Sequence, residues 1–206
     1  MNAGLLILML AGLLHSVCSA QDALEPCSRE RANPYYDGVN QVISAAVGQQ
    51  SSLLLTTLPS FEPESGVRLV GAKVYLVEFR SSFWAESNHV NRQGIGRMDF
   101  TKPAIKTRTR HAPIDAALAR RIELVYSKAI ANAKKLEQVG VDGVSYLMST
   151  SNGACASAWS PRPRTPNDRL IMLLRRLERH ATLSAAIDLR RSEREIAHLL
   201  YAIDGY

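Results

Sequence analysis

The chain has 206 residues, a formal net charge of +6 and 46% hydrophobic residues, a length that fits one domain with a substantial core. Its longest apolar run, Gly4–Leu14, has about half of the roughly 20 residues that are needed to cross a bilayer. These properties argue against a membrane-spanning segment and favour a basic, globular protein.

Residues 1–20 have the layout of a cleavable export signal. The apolar run is followed by small residues at 16–20 and by a polar chain from Gln21. This pattern predicts cleavage after Ala20 and a periplasmic or secreted protein. A membrane anchor and a lipid-modified Cys18 are the alternatives, although the residues before Cys18 match a lipidation site poorly.

The cysteine count agrees with export. Cleavage after Ala20 leaves Cys27 and Cys155, an even number in an oxidising compartment, which predicts one disulfide. The bridge would tie an irregular N-terminal segment, 21–34, to a single domain over 35–206. Two separate thiols, one of them reactive, are the alternative.

The first half of the domain predicts one helix followed by strands. Apolar residues recur at helical spacing over 37–47, whereas 53–58 is a short apolar run closed by a proline. Residues 67–81 form the strongest strand pattern. The stretch 88–96 is interpreted as a loop, and 97–101 as a short strand.

Residues 105–111 alternate strictly and predict an edge or solvent-facing strand. Ile105, Thr107 and Thr109 occupy one face. Lys106, Arg108 and Arg110 occupy the other face and are candidate anion-binding residues. From 92 to 121 the chain carries eight basic and two acidic residues, so an anionic partner is one interpretation and a solvated basic surface is the other.

A helix and a hairpin are predicted next. Apolar spacings of three and four over 114–136 indicate a long helix, with Pro113 in its first turn and Gly140 at its stop. Two β-prone runs, 141–150 and 154–159, flank an Asn-Gly turn, which is typical of a β-hairpin.

Two amphipathic helices complete the chain. Thr165 and Asp168 form a capping box around Pro166, and the helix that follows buries a leucine stripe. A last helix is expected over about 183–202, with a possible restart at Ser192. Strands and helices do not alternate regularly, which predicts an α+β fold with a mainly antiparallel sheet against several amphipathic helices.

Motifs of catalysis and of metal or nucleotide binding are missing from the sequence. We therefore predict no cofactor and no metal, and assign no catalytic residue. Paired carboxylates need no fixed spacing, however. A small periplasmic hydrolase that uses Glu62, Glu64 or Glu78 remains the alternative to a binding protein.

Two segments carry a resemblance. The element LPSFEPE at 58–64 and the hairpin DGVSY…WSP at 142–161, followed by the helix from Pro166, resemble a loose group of small uncharacterised bacterial proteins. The resemblance spans about 50–180 and implies one domain, with Gly143 as a turn residue and Trp159 as a packing anchor. It implies no activity.

The sequence thus favours an exported, non-enzymatic binding module with a basic face. The partner is expected to be an anionic polymer, an anionic lipid surface or an acidic protein. An inhibitor of a secreted enzyme, similar to an immunity protein, is a special case. Nucleic acid is an unlikely partner for an exported protein.

Overall fold

The computed structural model describes residues 24–27, 33–90, 96–98, 105–135 and 142–204. The predicted export signal and its cleavage point after Ala20 lie outside these residues. So does most of the strand expected at 97–101.

Seven strands form one sheet in the order β1-β9-β8-β2-β3-β4-β7, and every neighbouring pair is antiparallel. These strands are β1 (Glu25–Pro26), β2 (Leu53–Pro59), β3 (Ser65–Val70), β4 (Lys73–Phe79), β7 (Thr107–Pro113), β8 (Val144–Thr150) and β9 (Cys155–Trp159). A separate hairpin joins β5 (Asn88–Val90) and β6 (Gly96–Met98). The described helices are α1 (Pro34–Val47), α2 (Phe83–Ser87), α3 (Ala116–Ala131), α4 (Pro166–His180) and α5 (Ala186–Asp204).

Helices cover both faces of the sheet. α1 and α2 pack on one face, where Tyr75, Val77 and Phe79 of β4 are buried. α3, α4 and α5 pack on the other, where Val74 and Leu76 are buried. Successive side chains of a strand point to opposite faces, so β4 contributes to both cores, as its sequence predicts. The expected α+β fold with an antiparallel sheet is confirmed.

The N-terminal segment is fastened to one edge of the sheet. Cys27 and Cys155 form a disulfide with a Cα–Cα distance of 5.4 Å, which confirms that prediction. The Cys27 amide also donates to the Cys155 carbonyl at 3.2 Å. The expectation of irregular structure throughout 21–34 is wrong at residues 25–26, which pair with β9 as strand β1.

Three features of the first half differ from expectation. α1 begins at Pro34, three residues early, because the Asn33 side chain accepts the Tyr35 amide at 3.0 Å and caps the helix. The long strand expected at 67–81 is a hairpin of β3 and β4, turning at Gly71 with φ +54°. Part of the loop expected at 88–96 pairs as β5.

α3 is shorter than predicted at both ends. Pro113 ends β7, and the Asp115 side chain caps the helix by accepting the Leu118 amide at 2.9 Å. The helix stops at Ala131, and the Lys134 amide donates to the Leu24 carbonyl of the N-terminal segment at 2.8 Å. α3 therefore ends well before Gly140, and the chain makes a tertiary contact three residues after the helix.

The last hairpin and α4 are confirmed. Gly153 takes φ +82° in the Asn-Gly turn between β8 and β9. Thr165 caps α4 by accepting the Asp168 amide at 3.2 Å. The Asp168 carboxylate reaches back to the Arg164 amide at 2.7 Å, one residue before the expected donor. The leucine stripe is buried, as predicted: Leu170, Leu173, Leu174 and Leu177.

α5 is continuous, so Ser192 does not restart a helix. Its hydroxyl is hydrogen-bonded to Nδ1 of the fully buried His180 at 3.1 Å, while Nε2 donates to the Pro113 carbonyl at 2.8 Å. This pair fastens α4 to α5 and to β7. None of the described helices has the length and apolar character that a membrane span requires.

A fully buried arginine lies between the sheet and α1. Arg68 of β3 donates from Nη1 to the Leu55 carbonyl and from Nη2 to the Asn40 side chain, each at 2.9 Å. Burial lowers the pKa of Arg68 to about 9, which leaves the group charged at neutral pH. Polar contacts to β2 and α1 hold this charge in the core.

Candidate functional site

The predicted basic strand lies at an edge of the sheet, as β7, and pairs only with β4 among the described residues. Lys106 and Arg108 are exposed. Arg110 is half-buried, and its Nη2 donates to the Glu78 carboxylate at 2.5 Å. The expectation of three solvent-facing cations is therefore corrected to two, because Arg110 neutralises a carboxylate of the neighbouring strand.

The three candidate carboxylates do not assemble into one site. Glu64 is 1% exposed and lies on the α1 side of the sheet. Its carboxylate accepts the Tyr35 hydroxyl and the Phe83 amide, both at 2.7 Å, and thereby holds α1 and α2 together. Glu78 lies on the opposite face with Arg110, and Glu62 is exposed.

Glu64 also affects its aromatic neighbours. Burial and the adjacent Glu64 raise the pKa of Tyr35, so its phenol stays protonated and keeps donating. The Tyr35 ring packs edge-on against Phe83 and Trp84, with centroids 5.9 and 5.4 Å away. Trp84 is 49% exposed.

A row of polar residues crosses the sheet on the side that α4 covers. The strand register places five residues side by side across the sheet: Tyr146 in β8, Thr57 in β2, Ser65 in β3, Glu78 in β4 and Arg108 in β7. The row that lies two residues further along the strands is mainly apolar: Met148, Leu55, Val67, Leu76 and Arg110. The face that α4 covers therefore changes from an apolar core to a polar surface at this row.

A cleft of about 270 Å³ opens where this row meets α4. We call it the α4 cleft. Its floor and rim come from β2, β3, β8 and the β2–β3 connection, and its roof comes from α4. The lining residues are Thr57, Pro59, Glu62, Pro63, Ser65, Val144, Tyr146, Leu174, Arg175 and Glu178.

Glu178 of α4 has a raised pKa. Burial raises its pKa, the nearby Glu78 raises it further, and Arg175 opposes both effects. The sequence analysis missed Glu178. The available signal was its position four residues after Leu174, which places it beside the buried stripe of α4.

The segments that carry the sequence resemblance meet at the α4 cleft. Residues 58–64, residues 142–146 and α4 each contribute to its lining. Gly143, with φ +149°, packs so closely on Trp159 and Ser160 that a Cβ at this position would overlap them. Trp159 and Ser160 therefore pack directly against the backbone of Gly143.

Among the described residues, no three histidine, cysteine, aspartate or glutamate side chains are arranged to hold a metal ion. Comparisons of the chain with protein-family models, with curated proteins and with solved structures find no match.

Proposed function

We propose that this chain is an exported binding protein that contacts an acidic partner through the edge strand β7. Export is supported by the signal pattern of residues 1–20 and by the Cys27–Cys155 disulfide, since disulfides persist mainly in oxidising compartments. The partner is an extended acidic segment of another protein.

The placement of two cations carries the proposal. Lys106, directly before β7, and Arg108, within it, are both exposed and lie two residues apart, and the Arg80 amide continues the β4 pairing to the Lys106 carbonyl at 2.9 Å. Neither side chain forms an ion pair with a described acidic residue. Side chains two residues apart in a strand are about 7 Å apart. They match the spacing of alternate carboxylates in an extended acidic chain.

The free side of β7 favours a protein over a lipid surface or a polymer. No described strand pairs with that side, and the backbone groups of an unpaired strand edge can hydrogen-bond to an added strand. An extended peptide can satisfy these groups and the two cations together, which is the recognition mode of β-strand addition. A lipid headgroup satisfies only the cations.

The test is a titration of the mature protein with poly-L-glutamate, with anionic phospholipid vesicles and with an anionic cell-wall polymer. The Lys106→Ala/Arg108→Ala variant should bind the peptide at least tenfold more weakly than wild type while melting at the same temperature. The matched control replaces an exposed arginine and an exposed lysine of α3, as Arg120→Ala/Lys128→Ala, and should bind normally.

Salt provides the second readout. The Debye length falls from about 10 Å at 0.1 M salt to about 3 Å at 1 M, so binding should weaken strongly over this range. Salt-insensitive binding, equal binding by the two double variants, or tighter binding to vesicles or polymer than to the peptide would contradict the proposal. Export is checked separately by mass spectrometry, which should find an N-terminus at Gln21 without lipid.

A further inference from the structure

The α4 cleft combines both signs of charge in a small volume. Glu62 and Glu178 supply two carboxyl groups, and Arg175 supplies one guanidinium. A volume of about 270 Å³ corresponds to about nine water molecules at about 30 Å³ each. The cleft therefore fits a ligand of roughly that number of non-hydrogen atoms, and its charges complement a ligand that has both a cationic and an anionic group.

Backbone contacts hold the walls in place. The Ser60 amide and hydroxyl both donate to the Gly143 carbonyl, at 3.0 and 2.9 Å, and the Gly143 amide donates to the Ser60 hydroxyl oxygen at 3.1 Å. The Val144 amide donates to Ser160 Oγ at 2.9 Å. These bonds connect the β2–β3 connection, the start of β8 and the end of β9, so the rim is pre-organised before a ligand binds.

One polar atom of the cleft floor has an unmet hydrogen-bonding requirement. Thr57 Oγ1 is buried and has no hydrogen-bond partner among the described residues, and Thr57 lines the cleft together with Ser65 and the buried Tyr146. Buried polar groups are normally paired, and each exception requires an explanation. A polar ligand above this floor provides one.

We propose that the α4 cleft binds a small zwitterion of the α-amino-acid type. The ammonium group of the ligand lies between Glu62 and Glu178, and its carboxylate pairs with Arg175. An ion pair between a guanidinium and a carboxylate is often bidentate and fixes orientation as well as charge. This site is separate from the partner-binding residues of β7, and the two proposals can fail independently.

Binding should depend on pH through Glu178. Burial raises its pKa, and a bound ammonium group favours the ionised form, so binding should release a proton and strengthen as Glu178 ionises. The titratable and charged groups that interact with it or line the same cleft come from α3, α4, β4, β8 and the β2–β3 connection: Tyr126, Arg175, Glu78, Tyr146 and Glu62. Arg110 of β7 forms an ion pair with Glu78.

The test is calorimetric titration of the full mature protein with three small molecules. L-alanine carries both charges, ethylammonium only the cation, and propionate only the anion. We expect saturable binding of L-alanine and weaker binding of the other two. Lack of saturable L-alanine binding at concentrations up to about 10 mM, or tighter binding of ethylammonium than of L-alanine, would overturn the proposal.

Single substitutions test which residues of the cleft contact the ligand. Glu178→Gln and Glu62→Gln should each weaken L-alanine binding about tenfold. Glu178→Gln should also remove the pH dependence of L-alanine binding. Arg175→Gln should weaken the binding of L-alanine without affecting the binding of ethylammonium. Glu86→Gln replaces an exposed glutamate of α2 on the other face of the sheet and is the matched control. Wild-type affinity in both cleft glutamate variants would place the ligand elsewhere and refute the assignment.

Discussion

Arg110 of β7 and Glu78 of β4 form an ion pair across the edge of the sheet, with Nη2 and Oε2 2.5 Å apart. They are not direct neighbours in register, since Arg108 lies opposite Glu78 and Arg110 lies opposite Leu76. The pair is therefore diagonal. It places a cation beside Glu78, whose charge also acts on Glu178.

The ion pair predicts different effects of substituting Arg108 and Arg110, which lie two residues apart in β7. Arg110→Ala should lower the free energy of unfolding by about 1 kcal/mol, because it removes a half-buried pair and leaves Glu78 beside another carboxyl group. Arg108→Ala should stay within about 0.5 kcal/mol, since Arg108 is exposed. Urea unfolding measures the free energy of unfolding of both variants. Equal effects would show that the Arg110–Glu78 pair contributes nothing to stability.

Glu178 should make stability depend on pH. The pKa of Glu178 is raised in the folded state, so over the pH range between the unfolded and the folded pKa the folded protein holds a proton that the unfolded chain releases. Stability is therefore lost as the pH rises through the folded pKa. Glu178→Gln should therefore stabilise the protein at about pH 7 and have little effect at about pH 4. Urea unfolding of both proteins at the two pH values measures the difference. An identical difference at both would contradict the raised pKa.

The leucine stripe of α4 should be a main source of stability. Leu174 is 1% exposed, and Leu174→Ala should lower the free energy of unfolding by about 2–5 kcal/mol through lost burial and a cavity. The neighbouring Arg175 is exposed, and Arg175→Ala should change stability by at most about 0.5 kcal/mol. Thermal and urea unfolding of the two variants compare the two faces of the helix. Similar losses would contradict the packing of α4.

Gly143 should tolerate no side chain. A Cβ would meet the Trp159 ring at 3.0 Å and Ser160 Oγ more closely still, so Gly143→Ala should cost about 3 kcal/mol or more. Gly153 also has a positive φ, but a Cβ there meets no atom of the described residues within 4 Å. Gly153→Ala should cost about 1–2 kcal/mol from backbone strain alone. Thermal unfolding separates the two, and equal losses would show that crowding at Gly143 is unimportant.

The disulfide should contribute substantially to stability. It joins residues that are 128 positions apart, and closing such a loop restricts the unfolded chain by about 5 kcal/mol in the chain-entropy model. Cys27→Ser/Cys155→Ser should lower the melting temperature, and a reductant should lower that of wild type to the same value. A reductant should not affect the double variant, and an unchanged wild-type melt in reductant would contradict this role.

Local sequence determined the elements whose signals lie within a few residues. The Thr165 cap and the leucines spaced three and four apart specify α4, because capping and side-chain periodicity act within one or two helical turns. The Asn152-Gly153 pair specifies the last hairpin, because its turn needs backbone angles that glycine adopts without strain. Only two cysteines follow the predicted cleavage point after Ala20, and since two cysteines allow a single pairing, the sequence also predicted the disulfide.

Tertiary structure decided where these elements stop and what their polar side chains do. α3 ends near a contact with the Leu24 carbonyl, about a hundred residues earlier in the chain. Arg110 forms an ion pair with Glu78 instead of facing solvent as predicted. The pKa of Glu178 is raised because its side chain is buried in the folded chain. Such effects depend on strand register and on which faces are covered, and both are set by contacts between residues that are distant in the sequence.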